Sequence, residues 1–140
     1  MVLKKKIKEG DDITPKGTYK IKIVYYRQDR IKRILTSINS KKIKKNMGWC
    51  DDPKSPNYNQ LISLPNKYNY EKLYRNDNIY DLIIVLDYNM NPTVKNKGSA
   101  IFIHIAKKNY TPTKGCIALS KIDLLEILNK INKKTNIKIG

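Results

Sequence analysis

His104 is the only histidine in the 140-residue chain, and Cys116 follows it by 12 positions, directly after Thr113-Lys114-Gly115. These residue types can do nucleophilic chemistry. The thiolate is the reactive form of cysteine, so a nucleophilic cysteine needs a base or a cation beside it. It also needs N–H donors aimed at the oxyanion that develops during attack. Gly115, placed directly before the cysteine, lets the backbone come close to a substrate carbonyl. A strand ending in His104, a loop of about ten residues and a return to Cys116 would bring the two side chains together. A structural reading fits the same residues. A histidine at the end of an apolar strand often closes a core, and a cysteine ahead of Ile117-Ala118-Leu119 can be a small buried hydrophobe. A Cys50–Cys116 disulfide is also compatible with the spacing, which by itself leaves all three open.

The elements that must position this pair are mostly strands. Residues 19–26 (Tyr-Lys-Ile-Lys-Ile-Val-Tyr-Tyr) are β-branched and aromatic, and begin just after the turn signal Thr14-Pro15-Lys16-Gly17. Residues 28–47 are polar and basic and carry no firm signal. Residues 48–60 crowd turn formers around Trp49 and Cys50 and read as an irregular loop. Two short apolar runs, 80–87 and 99–106, read as buried strands separated by a turn region with Pro92 inside it. Ser120 and Asp123 form a capping-box-like pair that opens a helix. Its apolar face is Ile122, Leu125, Ile127, Leu128 and Ile131, and lysines at 130, 133 and 134 suit the negative end of its dipole. A short strand at 137–139 closes the chain. The fold class expected is mainly β, a β-rich α+β domain with one main helix.

Length and composition bound the function. One hundred and forty residues make a single domain, 1–140, able to bury a core without staples. No apolar run approaches the roughly 18 residues that span a bilayer. Two cysteines and one histidine cannot form a zinc site of four Cys and His ligands. The formal charge of +17 points toward polyanions such as nucleic acid. Yet 25 of the 29 basic residues are lysine and only four are arginine, the better fork for phosphate and base edges. Abundant Lys, Ile and Asn are also what AT-rich coding produces. The lysines are spread along the chain, which favours a solvated surface over a dedicated groove. Met1-Val2-Leu3-Lys4-Lys5-Lys6 has a basic start without an apolar stretch behind it, so no signal peptide is visible. Either the chain is cytosolic or an export signal lies outside this sequence.

Several ordered motifs go beyond one His and one Cys. The segment Gly98-Ser99-Ala100-Ile101-Phe102-Ile103-His104, followed by Tyr110-Thr111-Pro112-Thr113-Lys114-Gly115-Cys116-Ile117-Ala118-Leu119, resembles the active-site segment of YkuD-type L,D-transpeptidases. It is most similar to a branch common in alphaproteobacteria. Glu9-Gly10-Asp11, Thr14-Pro15-Lys16-Gly17-Thr18, Tyr26-Arg27 with Asp29-Arg30, Gly48-Trp49-Cys50-Asp51-Asp52-Pro53, Tyr58-Asn59 and the helix after the cysteine extend the resemblance from about residue 5 onward.

The resemblance implies a YkuD-like mixed β-sandwich or barrel and a peptidoglycan L,D-transpeptidase. Cys116 would accept the acyl group of a donor stem peptide as a thioester. His104 would take the thiol proton and later protonate the leaving amine. The carbonyl of Ile105 would fix the imidazole tautomer, and backbone N–H groups around Gly115 and Cys116 would bind the oxyanion. An amine of an acceptor stem would resolve the thioester, with carbapenem-type β-lactams as covalent inhibitors. No cofactor, metal, specific nucleic acid or membrane span is implied, and the site of action would be the periplasm or cell envelope. The commonest family pattern has a second histidine where Lys114 stands, and an Arg or Asn where Ala118 stands. Arg27, Arg30 or Lys114 would then supply the missing charge for the substrate carboxylate. Trp49, Asp51, Asp52, Tyr58 and Asn59 would wall the substrate groove, with the acids meeting the ammonium of a diaminopimelate side chain. The alternative for these five is a well-capped loop around a buried Trp. Cys50 is expected to be structural. The family usually has one more strand before residue 5, which implies an N-terminally short chain.

Three other readings stay in play: a basic polyanion-binding module without catalysis, a cell-wall carboxypeptidase using the same Cys–His pair, and a different cysteine enzyme. Sortases place a functional arginine after the cysteine, and none follows Cys116. Papain-like and cell-wall cysteine peptidases run Cys before His, the reverse of the order here.

Overall fold

β-branched and aromatic residues from Gly17 onward build the strand at the centre of the main sheet, β1 (Gly17–Tyr26). The structure, a computed structural model, describes residues 6–107 and 115–140. Strands β2 (Ser40–Lys42), β3 (Met47–Cys50), β4 (Leu61–Ser63), β5 (Tyr70–Lys72), β6 (Leu82–Leu86), β7 (Phe102–Ile105) and β8 (Ile117–Leu119) follow. Helix α1 (Lys121–Lys130) and strand β9 (Asn136–Ile139) complete the described elements. A six-stranded mixed sheet runs β2-β1-β6-β7-β8, with β9 paired to the first half of β1. A three-stranded antiparallel sheet, β4-β3-β5, packs against it.

The large sheet buries both faces, which explains why β6 reads as a continuous apolar run. One face, with Val24, Leu82, Ile84, Ile103 and Ile105, packs on Leu124 and Leu128 of α1. The other, with Tyr25, Ile83, Val85 and Phe102, packs on Trp49 and Leu73 of the small-sheet layer. The pairing of β1 with β6 shifts between Ile21 and Ile23. That irregularity flips the alternation, so Ile21 joins the helix side while Ile23 joins the other.

The strands expected at 19–26, 80–87, 99–106 and 137–139 are present with shorter or shifted ends, and the chain is β-rich with one helix. Ser120 caps that helix, its Oγ accepting from the Asp123 N–H at 3.1 Å. Three expectations need correction. Residues 48–60 are not wholly irregular: Gly48, Trp49 and Cys50 belong to β3, because distant Leu61–Ser63 and Tyr70–Lys72 supply its partners. The 28–47 stretch contains β2, paired in parallel with Val24–Tyr26. The buried helix face is centred on Leu124 and Leu128, while Ile122 is 77% exposed. A short helix with five aliphatic residues offers more than one stripe, and the sheet selects the one that fits its groove.

Truncating Leu128 to Ala should therefore lower unfolding stability by about 2–5 kcal/mol, whereas Ile122→Ala should change it by less than about 0.5 kcal/mol. Urea denaturation of the two variants checks this.

Candidate active site

The pair is positioned by two parallel neighbours. Strands β7 and β8 align Ile103 with Ile117 and His104 with Ala118. Opposed residues share a face, and so do residues two apart on one strand. Cys116, two before Ala118, therefore points to the side of the sheet that carries His104. A cavity of about 750 Å³ opens there, lined by His104, Cys116, Ala100 and Ala118 among others.

His104 is buried, and its Nδ1 lies 2.9 Å from the carbonyl oxygen of Ile105. A carbonyl can only accept, so Nδ1 carries the proton and the neutral ring presents Nε2 as the basic nitrogen. Its ring is held by an edge-to-face series. Trp49 meets Phe102 at 5.3 Å, Phe102 meets Tyr80 at 5.8 Å, and Tyr80 meets His104 at 5.5 Å between centroids. Burial pushes the imidazole below its ordinary value of 6.5, helped by Arg75 and Lys107 and opposed by the Ile105 carbonyl.

Cys116 is half-buried, and its Sγ donates to the Ala100 carbonyl at 3.1 Å. Burial pushes its thiol up to about 12, against the backbone N–H of Phe102, which favours the thiolate; Glu71 adds to the rise and Lys6 opposes it. The resting pair is thus a thiol and a neutral imidazole. Gly115 sits at a φ of 98°, and a Cβ there would lie 3.0 Å from the Ile13 carbonyl. The glycine before the cysteine is required by this close approach to the protein's own backbone. No disulfide joins Cys116 to Cys50, which is fully buried in β3.

Acids occupy the same cavity. Glu9, Asp12, Asp51 and Glu71 line it together with the cations Lys6, Arg75 and Lys107. Burial raises the carboxyls of Asp51 and Glu71, and each is raised further by neighbouring acids. The Tyr80 hydroxyl donates to Glu71.

The other residues singled out from sequence divide clearly. Asp51 lines the cavity. Asp52 instead accepts from the Lys54 and Asn69 N–H groups and ties its loop. Trp49 and Asn59 are buried in the core, where the indole Nε1 donates to Asn59 Oδ1 at 3.0 Å. The buried Tyr58 donates its hydroxyl to Glu9 at 2.5 Å and accepts from the Gly98 N–H. Arg27 is 3% exposed; it forks onto Asp29, donates to the Arg75 carbonyl and stacks on the Tyr74 ring. Arg30 clamps Asp81 and the carbonyls of Asn76 and Asp77. Neither arginine lines the cavity. Lys114 lies outside the described residues. Glu71, Tyr80 and Arg75 reach the site from distant segments with no local motif to mark them; Glu9 stands in the Glu9-Gly10-Asp11 motif. Among the described residues, no group of three or more His, Cys, Asp or Glu side chains is arranged to hold a metal ion.

The YkuD family model, the L,D-transpeptidase catalytic domain, matches residues 4–139, so the chain belongs to that family. No curated protein and no solved structure matches the chain. The family's members are in general cysteine-dependent, act on peptidoglycan at the cell envelope and are inhibited by carbapenems.

Two cysteines in contrasting settings give a direct check. Iodoacetamide should label Cys116 and leave Cys50 unmodified in the native protein. The labelling rate should keep climbing above pH 9 toward about 12, because the raised thiol ionises only there. Peptide mapping after timed labelling reads both.

Proposed function

We propose that this protein is a peptidoglycan L,D-transpeptidase whose nucleophile is Cys116 and whose base is His104. The observation that carries the reading is the shared cavity: the thiol and an imidazole with Nε2 unprotonated open on one space, with Nδ1 anchored on Ile105. As Sγ attacks the donor's amide carbonyl carbon, its proton passes to Nε2. The C–N bond then breaks, and the leaving amine takes that proton from the imidazolium. Backbone N–H groups of Gly115 and Cys116 hold the oxyanion. An acceptor amine attacks the thioester, gives a proton to His104 and restores the thiol.

A neutral thiol suits an enzyme that ionises its nucleophile only when a substrate carbonyl is in place. The acids of the cavity suit the other half-reaction. Asp51, with Glu9 and Glu71 beside it, faces the space that an ammonium-bearing stem side chain would enter. Water in place of the acceptor would give the carboxypeptidase reaction. Action in the cell envelope follows the family; among the described residues, no helix is long and apolar enough to cross a membrane. A polyanion-binding role rests on the +17 charge alone.

Incubation with a carbapenem should add one inhibitor mass on Cys116. Cys116→Ala should abolish the adduct, and His104→Ala should slow it by roughly 10²–10⁴-fold, both with the fold kept. Muropeptide products read by mass spectrometry separate cross-linking from trimming. A missing wild-type adduct, with a steep salt dependence of DNA binding instead, would favour the binding module. The acid limb of the activity profile should fall below pH 6.5, since the imidazole stays neutral to lower pH than usual.

Arg27→Ala should lower the urea midpoint while leaving KM for the donor stem unchanged, because every bond of that guanidinium is internal. A raised KM at normal stability would restore Arg27 as a substrate contact.

A further inference from the structure

Asn59 is 2% exposed and uses both ends of its amide. Oδ1 accepts from the Ala100 N–H at 3.1 Å and from Trp49 Nε1 at 3.0 Å. Nδ2 donates to the carbonyls of Tyr88 and Asn89, each at 3.0 Å. Ala100 has a φ of 55°, a left-handed conformation that an L-alanine avoids unless its surroundings impose it. The Ala100 carbonyl is also the acceptor for the Cys116 thiol, and the Phe102 N–H bonds the same sulfur. One three-residue stretch thus offers the sulfur an acceptor when protonated and a donor when ionised. Glu9 and Tyr58 hold Ser99 and Gly98 next to it, but Asn59 grips residue 100 itself.

We propose that Asn59 is a positioning residue for the Cys116 sulfur, acting through the backbone of residues 100–102, which its buried amide holds in the left-handed turn. This rests on the reading of Cys116 as the acyl acceptor. Asn59 touches neither sulfur nor substrate. It keeps the Ala100 carbonyl and the Phe102 N–H at fixed places, so that the thiol stays on the cavity side in one orientation. With that hold removed, the sulfur would wander and meet more water.

The test compares Asn59→Gly with Leu73→Ala. Glycine fits the φ of 58° at position 59, so only the side chain is lost. Leu73 is fully buried in the same apolar cluster as Ala100 and touches the stability of this layer without its polar hub. In Asn59→Gly the midpoint of Cys116 alkylation against pH should drop from about 12 toward the ordinary thiol value of 9.0. Carbapenem acylation should slow by roughly tenfold to a hundredfold. In Leu73→Ala the melting temperature should fall with the alkylation midpoint unchanged. An unchanged midpoint in Asn59→Gly, or an equal drop in Leu73→Ala, would overturn the proposal. If Asn59→Gly does not fold, the wild-type protein still decides. Its Ala100 amide hydrogen, held by Asn59 Oδ1, should exchange with deuterium far more slowly than an exposed amide; exchange at the exposed rate overturns the hold on which the proposal stands. A wild type that alkylates as described but forms no carbapenem adduct removes the acyl-enzyme reading instead, and leaves the alkylation comparison intact.

Discussion

The parallel register of β7 with β8 is the constraint on which the site depends. It sets Ala118 beside His104, and the two-residue alternation of a strand then sends Cys116 to the same face. A slip of one residue would turn the cysteine into the helix-side core and leave the histidine alone. The register is secured from both sides. Ile103, Ile105, Ile117 and Leu119 pack toward Leu124 and Leu128, while Phe102 packs between Trp49 and Tyr80. Helix α1, which makes no direct contribution to the cavity, is therefore part of what aims Cys116.

The electrostatics follow from the same burial. Removing the thiol and the imidazole from water penalises both charged forms, so the pair rests neutral. Glu71 disfavours the thiolate further, and Arg75 and Lys107 disfavour the imidazolium. A chain with a formal charge of +17 nonetheless gathers four acids around one cavity. Lysines dominate the sequence count, yet the cavity sets four carboxyl groups from three separate segments against three cations, Lys6, Arg75 and Lys107.

Scarce arginines serve the framework. Arg27 and Arg30 stitch the turn after β1 to residues 75–81, the segment that delivers Tyr80 to His104. Guanidinium groups suit this use, Arg27 buried and Arg30 partly exposed, because a planar fork can satisfy several carbonyls and a carboxylate at once. The buried Trp49–Asn59 pair serves the framework in the same way, tying β3 to the Ala100 backbone. These residues shape the site from behind.

Much of this was legible in order of residues. The apolar runs at 80–87 and 99–106, the Ser120 cap, and the His-before-Cys motifs are local signals, and local chemistry suffices to read them. The same holds for the family, since its motifs are ordered along the chain. The placement of Arg27, Trp49, Tyr58 and Asn59 was not legible. Their types suit substrate contact and internal hydrogen bonding equally, and only distant partners decide between the two. Glu71 and Tyr80 were invisible for the matching reason: nothing within their own segments marks them, and a nonlocal sheet brings them to the sulfur. Sequence determined which atoms could react, because reactivity belongs to residue type. Tertiary structure decided which of them share a space, because proximity across long loops is set by strand register and packing.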